Sequence, residues 1–175
     1  VGWFDLATLG LVSEPIVGLF DLEAEASATQ RGSYAARVAL DSIRVRNGAQ
    51  TETIRPTSFE FATDSARTRA AARSGDLELE FRTPESLERF LALLPRSTAE
   101  LERQVRAQRL DMDSLKPVLP DFLLRLTAGQ NNILNNFLRT RRMAFRRMEM
   151  RGANCDSLPL ALGMRVEGLT TGNLR

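Results

Sequence analysis

The sequence contains no histidine, a single cysteine and a single lysine among its 175 residues. Without histidine, the chain has no imidazole to act as a general base or as a metal ligand. Cys155 has no second thiol for an intramolecular disulfide, so the fold requires no oxidising compartment. The same thiol has no histidine to activate it as a nucleophile. These absences exclude a disulfide scaffold and a histidine-dependent catalytic centre.

The sequence also has no long apolar run of the kind that spans a bilayer, about eighteen residues or more, and it predicts no transmembrane segment. Residues 1–22 are apolar, but Asp5, Glu14, Pro15 and Asp21 interrupt them and no basic side chain occurs there. A signal peptide begins with a positively charged region. We therefore read no signal peptide here, and the compartment stays unknown.

Motifs for catalysis or cofactor binding are missing as well. No glycine pattern matches a phosphate-binding loop, and residues 111–114, the Asp-Met-Asp-Ser segment, lack the further ligands of a calcium loop. Glu78 and Glu80 alternate with apolar residues, which predicts exposed carboxylates, the wrong setting for acid–base catalysis. We expect a non-enzymatic protein with no cofactor and no metal site.

What the chain does contain is enough apolar sequence for a core and an unusual amount of arginine. Hydrophobic residues make up 43% of the sequence, which argues against wholesale disorder. The 24 basic residues nearly balance 22 acidic ones, and Lys116 is the one lysine among them. Arginine suits bidentate carboxylate or phosphate contacts better than lysine does. A GC-rich genome that favours arginine codons would give the same composition.

Residue patterns predict one α+β domain spanning residues 1–175. Its parts are an acidic, helical N-terminal segment (1–33), a strand region (34–82), a helical region (83–151) and a C-terminal loop or tail (152–175). Asn47-Gly48 predicts a hairpin because a type I′ turn needs positive φ at both central residues. Alternating residues 58–61 and 77–81 predict half-buried strands. A parallel sheet would need helices between the strands, so we expect a small antiparallel sheet.

After Thr83 the spacing of the apolar residues changes from a period of two, typical of a strand, to a period of 3.6, typical of a helix. We expect Thr83 to cap a helix with Pro84 in its first turn and an apolar face around Phe90. Pro95 should end that helix. A capping box beginning at Ser97 then predicts a second, more polar helix that runs to about residue 110. These helices, with the segment described next, make up the expected C-terminal group of amphipathic helices.

Residues 130–151 are the most informative segment, a predicted helix with an apolar stripe and many arginines. On an ideal helix its apolar side chains share one arc, and its polar arc carries four asparagines and several arginines. Arg141 violates the pattern, because it falls inside the apolar arc. We expect the asparagines, Asn131, Asn132, Asn135 and Asn136, to face water rather than to pair with a partner's amides. The arginines that form the expected contact face are Arg139, Arg142, Arg146, Arg147 and Arg151.

Three interpretations of this arginine face remain open. It is a solvated face that pairs with acids of the same fold, a contact to an acidic protein or a neighbouring copy, or a contact to nucleic-acid phosphates or an anionic membrane surface. We expect a structural or accessory subunit of a larger assembly that uses this face. A nucleic-acid-binding protein is the first alternative, and a peripheral membrane-surface protein is the second.

Charge is distributed unevenly between the two ends. Residues 1–30 contain acids and no basic side chain, whereas residues 131–175 contain eight arginines and three acids. Such asymmetry suggests electrostatic complementarity within the fold or between copies. We expect the acidic start of one copy to dock on the basic segment of the next, as a ring or a filament. The residues of this possible acidic counter-surface are Asp5, Glu14, Asp21, Glu23 and Glu25.

Overall fold

The structure, a computed structural model, describes residues 3–5, 16–29, 32–47, 50–109, 111–155 and 158–172. Its strands are β1 (Trp3–Asp5), β2 (Ile16–Ala28), β3 (Tyr34–Asn47), β4 (Gln50–Thr53), β5 (Thr57–Thr63), β6 (Thr68–Ser74), β7 (Leu77–Thr83), β8 (Phe122–Ala128), β9 (Met143–Ala144), β10 (Arg147–Cys155), β11 (Leu158–Glu167) and β12 (Thr170–Thr171). Its α-helices are α1 (Leu87–Arg106), α2 (Met112–Leu115) and α3 (Ile133–Thr140), and a 3₁₀ turn follows α2 at Lys116–Val118.

Ten of these strands form one antiparallel sheet. The order across it is β1-β2-β3-β5-β6-β7-β8-β10-β11, and β4 pairs with β3 beside this path. Strands β9 and β12 form a separate two-stranded sheet. Apart from β4, the large sheet is a meander. The connection between β7 and β8 contains α1 and α2, and the connection between β8 and β10 contains α3.

The two faces of the sheet differ in chemistry because successive strand residues point to opposite sides. From Leu22 of β2 to β11, most large apolar residues pair with apolar or small residues on one side of the sheet. We call this side the apolar face; its large side chains include Leu22, Tyr34, Val38, Leu40, Phe59, Phe61, Leu77, Leu79, Phe81, Leu124, Leu126, Met148, Met150, Leu162, Met164 and Val166. The other side is the charged face, with Asp21, Glu23, Glu25, Arg37, Glu60, Arg69, Arg73, Glu78, Glu80, Arg82, Arg125, Arg147, Glu149, Arg151, Arg165 and Glu167.

Helix α3 lies on the apolar face at the middle strands. The core there is built from Leu77, Ala128 and Phe145. Its partly buried neighbours are Leu79, Leu126, Leu134, Leu138, Met148 and Val166. Burial of these side chains is the main stabilising contribution in this region, because each large apolar side chain removed from water contributes about 1.5–3 kcal/mol.

Helix α1 lies over the apolar face as well, near one end of the middle strands. Phe90 packs edge-to-face on Phe81, with ring centroids 5.2 Å apart. Buried hydrogen bonds tie the helix to its surroundings: the Ser97 hydroxyl donates to the Val118 carbonyl at 2.7 Å, and the Gln104 amide donates to Ser114 at 2.7 Å. Such satisfied buried polar groups fix the position of a helix more narrowly than apolar contacts do.

The predicted N-terminal helical segment is wrong, because residues 16–28 form strand β2. They pair with β3 along nearly their whole length. From Asp21 to Ala26, acidic and apolar residues alternate with a period of two, which is the strand period. The apolar residues of this segment also fit one face of a helix, which is why the pattern was misleading.

The predicted C-terminal group of amphipathic helices is also wrong. In residues 130–151 only α3, eight residues long, is helical; residues 147–155 form β10. Arg141, which violated the helical pattern, is the residue at the C-cap of α3, and Arg142 has a φ of 56°. Beyond that turn, Met148 and Met150 alternate with charged residues, which again favours a strand. The expected C-terminal tail is instead the end of β10 followed by β11 and β12.

Two further predictions, the N-cap and the end of helix α1, are wrong. Its N-cap is Ser86 rather than Thr83, and the Ser86 hydroxyl accepts a hydrogen bond from the Arg89 backbone. Pro95 lies inside one continuous helix instead of ending it. Proline removes the hydrogen bond to the carbonyl four residues earlier. Leu91 and Pro95 are both exposed, so water can satisfy that carbonyl.

Strands β3, β4, β5 and β7 agree with the strands predicted in residues 34–82, whereas β6 was not predicted as a strand. Residues 58–61 lie in β5 and residues 77–81 form most of β7. Strands β3 and β4 pair antiparallel at the predicted hairpin, with Asn47 opposite Gln50. Gly48 lies outside the described residues. The sheet is larger than expected, however, because strands from both flanks of this region join it.

Candidate interaction surface

The structure separates the five arginines that were expected on one helix face. Arg139 lies in the last turn of α3, Arg142 in the turn that follows, and Arg146 immediately before β10. Arg147 and Arg151 are on β10 and point to the charged face. These two share a face because residues four apart on a strand point to the same side, and Arg146 lines a recess together with Arg147.

Two of these arginines pair with carboxylates of the same molecule. Arg147 lies 2.6 Å from Glu149, and Arg146 lies 3.7 Å from Glu167. Arg139, Arg142 and Arg151 are exposed and form no ion pair with the described residues. Exposed ion pairs contribute about 0–1 kcal/mol, so the two pairs leave Arg146 and Arg147 available to an outside partner.

Arg151 belongs to a cluster that the sequence analysis did not find. It lies directly opposite Arg125 of β8, and Arg69 of β6 lies directly opposite Arg82 of β7. Glu80 pairs in register with Arg125 and lies 3.6 Å from Arg82. We call Arg69, Arg82, Arg125 and Arg151 the arginine cluster. They come from four adjacent strands of the charged face.

The arginine cluster lies on a concave part of the charged face. A recess of about 370 Å³ is lined by Arg82, Arg125 and Arg151 together with Glu80 and Leu123. A wider groove of about 700 Å³ shares Glu80 and Arg82 with it and extends over β6, β5, β3 and β2. Small side chains, such as Ala62 and Ala71, line that groove. Cross-strand register brings these residues together, and one sequence in isolation does not reveal register.

The acidic counter-surface is partly described. Asp21, Glu23 and Glu25 are exposed on the charged face of β2. Asp5 lies in β1, which pairs with the first part of β2. Glu14 lies outside the described residues. The three described acids of β2 are therefore at the opposite end of the sheet from Arg147 and Arg151.

The two longest open strand edges among the described residues belong to β2 and β11. Residues 21–28 of β2 pair with β3 on one side only. Leu158–Glu167, the whole of β11, pairs with β10 on one side only. An unpaired edge presents backbone N–H and C=O groups that can pair with another strand. Beside both edges the apolar face is exposed, most at Leu22 (59%), Leu162 (60%) and Met164 (65%).

Asparagines expected to face water instead hold α3 in place. Asn132 and Asn135 are completely buried. The Asn135 side chain accepts a hydrogen bond from the Phe145 N–H and donates one to the Phe145 carbonyl. The Asn132 side chain donates to Asp76 at 2.6 Å and caps the helix by accepting from the Asn135 N–H. The wrong expectation came from treating all four amides as parts of one exposed helix flank.

Asp76, in the turn between β6 and β7, is the acceptor for this arrangement. Partial burial would raise its pKa, but hydrogen bonds from the Asn132 side chain and from the Asn131 backbone outweigh burial, so the pKa is lowered. Gly75 beside it has a φ of 58°, and a Cβ there would collide with the Asn131 carbonyl. The turn therefore requires glycine next to Asp76.

No protein-family model matches this chain, and neither a characterised protein nor a solved structure resembles it significantly. The functional argument therefore rests on the geometry of the molecule itself. None of the helices in the described ranges is long and apolar enough to cross a membrane. The described residues also contain no group of three or more cysteine, aspartate or glutamate side chains placed to hold a metal ion.

Proposed function

We propose that this protein is a non-enzymatic structural subunit that assembles with further copies of itself by extending its β-sheet. In this arrangement β11 of one copy pairs with β2 of the next. The observation that carries the proposal is the presence of two open strand edges, at opposite ends of one sheet, with matching faces. Contacts that use different surfaces on the two partners are heterologous, and they generate rings or filaments.

Strand direction favours this pairing. The path from β2 to β11 contains eight strands, each antiparallel to its neighbour. Because eight is an even number, β2 and β11 run in opposite directions. A second copy placed beside the first in the same orientation therefore presents β2 antiparallel to β11. Antiparallel pairing is the arrangement used throughout the existing sheet, so the next copy continues it without a change of pattern.

The two faces match as well. The same placement puts the apolar face of the second copy on the same side as that of the first. Exposed Leu162 and Met164 of β11 then lie beside Leu22 and the alanines of β2. Cross-strand apolar pairs of this kind contribute about 0.2–1 kcal/mol each. A strand slipped by one residue would put apolar side chains opposite charged ones, so the two faces also restrict the register.

Charge supports the same contact. Strand β2 contains three acids and no basic residue, whereas β10 and β11 together contain three arginines and two glutamates. The acids of β2 attract the end of the sheet formed by β10 and β11, whose net charge is +1, and they disfavour a β2–β2 contact, which would bring acids together. Screening weakens this attraction as the Debye length falls from about 10 Å at 0.1 M salt to about 3 Å at 1 M.

Chemical cross-linking tests the proposed contact. In a Cys155→Ser background, Ser27→Cys on β2 and Ala161→Cys on β11 place one thiol at each open edge, both on the charged face. We expect a short bismaleimide to convert the double variant into a ladder of multimers. Each single-cysteine variant should stay monomeric after the same treatment. Neither substitution changes a charge, so the electrostatic attraction is retained.

The alternative outcomes are distinct. Dimers formed by Ala161→Cys alone would indicate a two-fold β11–β11 contact and would contradict the head-to-tail arrangement. Sedimentation of the unmodified protein as a monomer at every salt concentration would refute assembly altogether.

The triple variant Asp21→Asn, Glu23→Gln, Glu25→Gln should associate more weakly at low salt. Glu102→Gln, a change on the exposed side of α1, is the matched control, and it should leave association at low salt unchanged.

A further inference from the structure

The arginine cluster is electrostatically incomplete. Like charges directly opposite each other on neighbouring strands destabilise a sheet, and this cluster contains two such pairs, Arg69 with Arg82 and Arg125 with Arg151. Their one in-register carboxylate partner is Glu80, which lies 3.6 Å from Arg82. Arg69, Arg125 and Arg151 form no ion pair with the described residues. Among in-register neighbours, four guanidinium groups thus have one carboxylate, although Glu60 lines the adjoining groove beside Arg69.

The recess beside the cluster has room for a small molecule. Its volume of about 370 Å³ lies within the range of ligand sites, roughly 300–1,000 Å³. Arg82, Arg125 and Arg151 line it from three adjacent strands, and Leu123 contributes an apolar patch. Rigid, hydrogen-bonded strands hold the three arginine backbones at fixed spacing, which is the arrangement that a preformed site requires.

The charge of the cluster indicates which ligand would complete it. A carboxylate carries one negative charge, and four arginines against Glu80 leave more positive charge than that. A phosphate monoester carries about 1.5 to 2 negative charges at pH 7 and three acceptor oxygens. Guanidinium groups bind such oxygens through two parallel hydrogen bonds. A phosphoryl group therefore fits the cluster better than a single carboxylate does.

We propose that the arginine cluster is a binding site for the phosphoryl group of a small soluble molecule, with Arg82, Arg125 and Arg151 as its principal contacts. The rest of such a molecule would extend over Leu123 or into the adjoining groove. The site faces away from the apolar face and does not include the open edges. Its existence is therefore independent of the assembly proposed above.

Thermal unfolding with inorganic pyrophosphate as the probe tests this site. At constant ionic strength, we expect saturating pyrophosphate to raise the melting temperature by about 3 °C or more. The double variant Arg125→Gln, Arg151→Gln should lose at least three quarters of that rise. Without pyrophosphate the same variant should melt at the same temperature as the unmodified protein or higher, because it removes a like-charge pair.

Arg147→Gln is the matched control, since Arg147 lies on the same strand and face as Arg151 but pairs with Glu149. It should keep the full effect of pyrophosphate. The double variant Arg125→Lys, Arg151→Lys keeps the positive charges but loses the paired hydrogen bonds of the guanidinium groups. Its rise in melting temperature with pyrophosphate should lie between that of Arg147→Gln and that of Arg125→Gln, Arg151→Gln. An equal temperature rise in all variants would overturn the proposal. So would dependence on Arg125 and Arg151 seen only with phosphatidylglycerol vesicles and not with pyrophosphate.

Discussion

The centre and the flanks of the sheet share one residue pattern but differ in what covers them. At the centre, Leu77, Leu79 and Leu126 lie under α3, and Phe145 beside them is only 2% exposed. On the flanks, Leu22 of β2 and Leu162 of β11 are about 60% exposed, although Leu160 and Val166 of β11 are buried or partly buried. Apolar and charged residues therefore alternate in strands at the centre and at the flanks of the sheet. Among the described residues, helices pack on the apolar face where they are inserted between strands.

The covered apolar residues stabilise the folded molecule, whereas the uncovered ones are available for interaction with another surface. Covered apolar residues contribute to the free energy of unfolding of one molecule, because folding removes them from water. Uncovered ones contribute little until another surface covers them. An exposed apolar strip beside an open edge is a common property of association sites. The four predictions that follow test this division, beginning with the largest expected effect.

Truncation of a covered aromatic side chain should be the most damaging change. We expect Phe145→Ala to lower the free energy of unfolding by about 3–5 kcal/mol, because it leaves a cavity under α3. Phe59→Ala on the flank, where the ring is 41% exposed, should cost only about 1–2 kcal/mol. Urea unfolding measures both. Equal losses would mean that the flank is covered and that the comparison is mistaken.

Loss of the buried amide beneath α3 should come next. Asn135→Ala removes both hydrogen bonds to the backbone of Phe145 and leaves two buried polar groups unpaired. The expected loss is about 2–3 kcal/mol, measured by urea unfolding. The matched control is Asn131→Ala, which removes an exposed amide and should change stability by less than about 0.5 kcal/mol.

Stability in acid should depend on Asp76. Its pKa is lowered below the ordinary 3.8 in the folded protein. The ionised carboxylate therefore stabilises the fold at pH values above 3.8, and this contribution disappears as the pH falls through the lowered pKa. Asp76→Asn should lower the melting temperature at pH 7 and flatten its decrease below pH 4. A melting curve with unchanged pH dependence would contradict the role of Asp76 as an anionic acceptor.

Polar replacement on the uncovered flank should have the smallest effect on folding. Leu162→Asn with Met164→Asn should change the free energy of unfolding of the monomer by no more than about 1 kcal/mol, since both side chains are mostly exposed. The same change should weaken self-association, which sedimentation velocity would detect. A large loss of stability without any change in association would show that Leu162 and Met164 pack against the core, as Val166 of the same strand does.

Strands β5 and β7 were predictable because apolar and charged residues alternate in them, whereas β6, which is rich in alanine, was not predicted as a strand. Strand β2 was equally readable from its alternating acids, yet its apolar residues also fit a broad helical face, and the wrong period was chosen. In residues 130–151 the apolar residues first follow the helical period of 3.6 and then the strand period of two. The helical pattern of α3 was extended over β10, so the strand was missed. Arg141 marked the boundary between them.

The residues of the two proposed contact surfaces were only partly predictable. Arg151 and the acids of β2 were identified from charge, and the structure places them on one face. Arg69, Arg82 and Arg125 lie 26 to 82 positions before Arg151 in the chain, so no local pattern connects them. They become neighbours through the pairing of four strands, which depends on register rather than on composition.

By itself, the sequence determined the chemical classes open to this protein. It has no histidine for catalysis, no disulfide and an abundance of arginine, and its alternation carries the information for a sheet with two unlike faces. Only the tertiary structure decided which charges meet, which apolar strip stays open and where the strand edges end. Those properties depend on contacts between residues distant in the chain, and such contacts arise from packing the whole sheet, not from any one segment.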